Sequence, residues 1–122
     1  AQEARGLGDV YKSQGIKNIR SMNGSFDEMI PLIKDLKVSP GLVFIDGDHK
    51  KDSVIRYFND FVGISNDNML LVIDDISISK EMAEAWELIK KHEKVTATIA
   101  LYRMGFVFLR EGITRLHYII RY

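Results

Sequence analysis

Two apolar runs in this chain end in acid. Leu42–Ile45 is followed by Asp46-Gly47-Asp48-His49, and Met69–Ile73 is followed by Asp74-Asp75. If both runs are strands and lie side by side, ~4.8 Å apart, Asp46 converges with one or both of Asp74 and Asp75. Converging carboxylates repel unless a cation, a proton or a basic ligand sits between them. An oxygen-only donor set suits Mg, Mn or Ca better than Zn or Cu. Asp46, Asp74 and Asp75 are therefore candidate metal ligands. His49, three residues after Asp46, is a candidate general base or substrate contact near neutral pH. Gly47 fits a tight turn or a close backbone approach to a ligand. Plainer roles exist for each: Asp at a strand end also caps a helix or starts a turn, and a His in a polar loop is often merely solvated. His92 and His117 read as structural, Lys50-Lys51 as a solvated pair, Trp86 as core, and Tyr102–Gly105 as a hairpin turn.

Elements that would position these residues follow from periodicity. Residues 2–14 have a helical pattern carrying Leu7, Val10 and Tyr11, and Ile16–Met22 reads as a short strand. Ser25 and Glu28 have capping-box spacing, and Phe26, Met29, Ile30 and Ile33 form a stripe, so the spacing predicts a helix over 26–36. Pro31 should kink that helix or delay its regular start, and Ser39-Pro40-Gly41 should break it. Val54, Phe58, Phe61 and Val62 follow helical spacing, and Gly63–Asn68 is a turn. Ser79 can cap a helix buried through Met82, Ala85, Trp86 and Ile89. Val95–Leu101 and Gly105–Arg110 are too close for a crossover helix and predict an antiparallel hairpin. Leu116–Ile120 is a last strand candidate. Strands apolar on both faces suit a parallel sheet sandwiched by helices. The expected fold is α/β: a Rossmann-like, mostly parallel sheet with a carboxy-terminal antiparallel hairpin at its edge.

Composition narrows the functional classes. The 122 residues suit one domain, taken as 1–122. Seventeen basic and seventeen acidic side chains balance. Neither half of the chain is basic, so nucleic acid and anionic membrane are not expected partners. At 46% apolar and 28% charged the chain has globular composition. No cysteine is present, which excludes disulfides, thiolate metal sites and a Cys nucleophile. It also suits a reducing cytoplasm, the expected location. No apolar run approaches the ~20 residues of a membrane span.

The motifs resemble a family. Leu42–His49 followed by a helix, then Leu70–Ile76, a helix containing Ala85-Trp86 and a final hairpin look like the second half of a class I S-adenosylmethionine-dependent methyltransferase. The likeness is to the O-methyltransferase branch whose fourth strand reads FIDGDH and whose fifth ends in a paired acid. Catechol and caffeoyl-CoA O-methyltransferases are relatives of that branch. The resemblance implies S-adenosylmethionine and Mg or another divalent cation as cofactors, and a small-molecule hydroxyl as methyl acceptor. It implies that Asp46 touches both ion and cofactor, beside Gly47, and that Asp74 and Asp75 are metal ligands. Asp75 stands where catechol-type enzymes carry Asn, and His49 where they carry a catalytic Lys. Gly24-Ser25, otherwise a helix cap, matches the loop that contacts the adenine.

The likeness covers nearly all of this chain but only about the last two-thirds of the family domain. The Gly-rich loop after strand one and the acid ending strand two are absent, and Gly6-Leu7-Gly8 lies in a helical pattern instead. A chain beginning Ala1-Gln2-Glu3 is thus expected to be a fragment, inactive alone. The missing strands would leave an edge on Leu42–Ile45, unprotected by Lys or Pro, to be covered by Ile16–Met22 slipping inward or by a second copy of the chain, and the second, a homodimer, is expected. Other readings of the same acids are a receiver-like phosphoacceptor module, an Asp-dependent phosphohydrolase and a non-catalytic oligomerisation domain. The first reverses the order of acid pair and single Asp. The second wants Thr where His49 stands.

Overall fold

A computed structural model of the chain describes residues 26–37, 40–46 and 50–121. The expected helix over 2–14, the Ile16–Met22 strand, Gly24-Ser25 and Gly47–His49 lie outside them. Contacts divide the chain into Ala1–Val38 and Ser39–Tyr122.

In the first unit, helix α1 spans Phe26–Asp35. Asp27 and Glu28 lie in its first turn and Lys34 in its last, each favoured by the helix dipole. Pro31 sits inside the helix without ending it. The end comes before the expected Ser39-Pro40-Gly41 break. Lys37 adopts a left-handed conformation (φ 53°), and its N–H donates to the Lys34 carbonyl at 3.0 Å.

The second unit contains β1 (Leu42–Ile45), α2 (Lys51–Gly63), β2 (Leu70–Ile73), α3 (Lys80–Lys90), β3 (Ala97–Ala100), β4 (Gly105–Phe108) and β5 (Leu116–Ile119). Its sheet order is β1-β2-β4-β3-β5. The β1–β2 and β3–β5 ladders are parallel, while β2–β4 and β3–β4 are antiparallel. The sheet is therefore mixed, not mostly parallel. The hairpin is present as expected, but it is inside the sheet and not at its edge. It folds back so that its second strand joins β2, and β5 then covers its first.

Both helices lie on one face of this sheet. The β1–α2–β2 and β2–α3–β3 crossovers advance in the same direction along it, and right-handed crossovers of that kind put their helices on the same side. That face carries Val43, Ile45, Leu71, Ile73 and Val107, all buried, against Val54, Phe58, Phe61, Met82, Trp86 and Ile89. In α2 the buried residues Val54, Tyr57, Phe58, Phe61 and Val62 repeat at 3- and 4-residue steps. In α3, Ser79 is the N-cap and its Oγ accepts the Met82 N–H at 3.1 Å. The opposite face carries Leu42 and Phe44, which are 64% and 49% exposed. Val72, opposite Phe44 on the same face, is buried, but Leu42 and Phe44 are not, so among the described residues the expectation that β1 is buried on both faces is corrected. Among the described residues, no helix is long and apolar enough to cross a membrane.

One close approach in this core needs glycine. A Cβ on Gly105 would lie 2.5 Å from both Cη2 and Cζ3 of Trp86. The indole therefore lies directly on the first residue of β4. Gly105→Ala is expected to lower stability by about 1–3 kcal/mol, the usual range for overpacking. Urea unfolding of the variant measures this, and a Trp86→Phe background should shrink the loss. An unchanged midpoint would mean that the indole moves aside at no cost.

Candidate functional site

The parallel register Leu42↔Leu70 to Ile45↔Ile73 fixes where the acids fall. It runs one step beyond the strands, since the Asp74 N–H donates to the Ile45 carbonyl at 3.0 Å. Asp46 and Asp74 thus leave neighbouring strands side by side at their carboxyl ends. Asp75 joins them. One carboxylate oxygen from each of Asp46, Asp74 and Asp75 lies within 4.8 Å of the others. All three sequence-predicted ligands are therefore brought together.

None of the described helix caps accounts for the Asp74-Asp75 pair. The N-cap of α3 is Ser79, not Asp74 or Asp75. At the start of α2 the N-cap position is Lys50, which makes no side-chain capping bond. The Lys51 N–H instead donates to Glu81 Oε1 at 3.0 Å, and Lys51 Nζ pairs with Glu84 at 3.3 Å. Lys51 is thus tied to α3 and is not simply solvated.

Asp75 has two unusual properties. Its φ is 55°, in the left-handed region that few non-glycine residues occupy. It is also only 6% exposed. Arg103, in the β3–β4 turn, meets this buried carboxylate with two N–H groups. Its Nε and Nη2 donate to Asp75 Oδ1 at 3.1 and 2.7 Å. The hydrogen bond to Asp75, then the charges of Asp75 and Asp74, raise the Arg103 pKa above its usual value. The turn is further pinned to the β2–α3 loop. The Ile76 N–H donates to the Arg103 carbonyl at 3.0 Å, and Ser77 Oγ donates to the Tyr102 carbonyl at 2.8 Å.

Sequence reasoning missed Arg103 by treating Tyr102–Gly105 as a plain turn. The signal lay in the hairpin's placement. Once β4 pairs with β2, with Gly105 opposite Ile73, the turn must sit at the carboxyl end of β2. Arg103 is its charged residue and faces the acids.

The other histidines fit structural roles. His92 meets the Phe58 ring edge-on, with ring centroids 5.3 Å apart, and its Nδ1 accepts the Lys94 N–H at 3.1 Å. His117 Nδ1 is 2.8 Å from the hydroxyl of buried Thr98.

The donor set fits a hard divalent ion. Oxygens across a Mg centre are about 4.2 Å apart and across a Ca centre about 4.6–5.2 Å apart, from bond lengths of about 2.1 and 2.3–2.6 Å. A cluster within 4.8 Å is on the scale of such a centre. Comparison with family models, with curated proteins and with solved structures finds no match for the chain.

Proposed function

We propose that this protein is the metal-holding half of an S-adenosylmethionine-dependent O-methyltransferase that acts on a small-molecule hydroxyl. One observation supports the reading above all. Three carboxylates converge at the carboxyl ends of adjacent parallel strands, where α/β sheets place their ligands. The FIDGDH motif, the paired acid and the later hairpin accompany it. In this reading Asp46, Asp74 and Asp75 hold a divalent ion, and Asp46 borders the cofactor. When bound, the ion lowers the pKa of the acceptor hydroxyl and S-adenosylmethionine supplies the methyl group. His49 takes the proton. The test is calorimetry with Mn(II), with transfer of labelled methyl from S-adenosylmethionine to a dihydroxybenzene by the full gene product. Heat from Mn(II) and transfer abolished by EDTA are expected. Transfer indifferent to EDTA, or no heat at millimolar ion, would end the reading.

The partner we propose is a second copy of the chain, joined along β1. Among the described residues β1 is an edge strand. Its sequence LVFI contains no Lys or Pro to discourage pairing. Two-fold pairing needs no other partner. Sedimentation should show a dimer that Phe44→Lys dissociates. A monomer throughout the micromolar range would refute it.

A further inference from the structure

The acidic cluster already has a cation against it. Arg103 directs two N–H groups onto Oδ1 of Asp75. Asp75 is buried, while the Arg103 side chain is 66% exposed. The guanidinium thus approaches from the solvent side and closes over a carboxylate within the fold. Asp75 also holds a left-handed backbone conformation, which a non-glycine residue keeps only where its surroundings over-determine it. Its surroundings here are the turn that carries Arg103, fastened by the Ile76–Arg103 and Ser77–Tyr102 bonds.

We propose that Arg103 is a positioning residue that serves as the resident cation of this cluster. It neutralises Asp75, keeps it in its left-handed place and pins the β3–β4 turn over the strand ends, so that the site is assembled before any ion arrives. A guanidinium and a divalent ion beside the same carboxylates repel each other. Arg103 therefore weakens ion binding while it stabilises the ion-free site. The second half of this statement stands without the metal reading, and the first half rests on it.

Thermal unfolding in EDTA tests the clamp. The proteins compared are the wild type, Arg103→Gln, Arg103→Lys, Asp75→Asn and the Asp75→Asn/Arg103→Gln double variant. Asn is a fair replacement because it tolerates the left-handed region. Arg103→Gln should lower Tm, and Arg103→Lys should recover part of the loss. The double variant should fall no further than the worse single one, since both changes break the same contact. Additive losses, or an unchanged Tm in Arg103→Gln, would overturn the proposal. Mn(II) titration then separates a resident cation from a simple buttress. Arg103→Gln should bind Mn(II) several-fold more tightly than wild type and gain more Tm from it. Equal affinity in both proteins would overturn the resident-cation role. Coupled Tm losses with Mn(II) binding to neither protein would leave the clamp standing and remove the metal reading.

Discussion

Asp46→Asn is expected to abolish measurable Mn(II) binding. Unit charges 4.8 Å apart repel by about 3 kcal/mol at an effective dielectric constant of 20, less where solvent screens them. Asp46 and Asp74 are half-buried, so part of that repulsion survives in the ion-free protein. Replacing Asp46 by its neutral isostere relieves repulsion and removes a charged ligand in one step. The affinity loss should exceed the 10–100-fold typical of disturbing an outer-shell partner. Calorimetry on the wild type and the variant checks this. If the Asp46→Asn protein gives the wild-type Mn(II) heat, Asp46 is not a ligand.

The parts of the fold that are legible in sequence are those set by local pattern. LVFI and LLVI announce core strands, helical stripes announce α2 and α3, and Ser79 announces its cap. The acids at the strand ends are legible too, because a strand's last residue fixes which side chain leaves the sheet. What is not legible depends on choices made across the chain. A three-residue gap makes β3 and β4 antiparallel but does not say which of them docks on β2. That choice makes the sheet mixed. It also carries Arg103 to Asp75, 28 residues away in sequence. The covering of β1 is hidden for a related reason. Leu42 and Phe44 are as apolar as Val43 and Ile45, yet only the latter pair faces the helices. Hydrophobicity identifies a face that tolerates burial, and the crossover direction decides which face receives it.

If the protein is the methyltransferase proposed above, His49→Gln is expected to lower its turnover by about 10²–10⁴-fold, the range for losing a general base, with little change in cofactor affinity. His49 follows Asp46 by three residues, and three residues span at most about 11 Å of extended chain. A neutral imidazole accepts a proton, and an unperturbed one loses that ability below pH ~6.5. Wild-type kcat should then rise with pH through the imidazole transition. In His49→Gln that limb should flatten, since the amide does not titrate. Gln keeps a polar side chain in the loop, so a loss confined to kcat separates proton transfer from loop structure. Single-turnover rates across pH 5–9 with saturating S-adenosylmethionine and Mg(II) provide the comparison. A loss below about fivefold, with the pH limb intact, would return His49 to solvent and leave the proton to water or to a residue outside this loop.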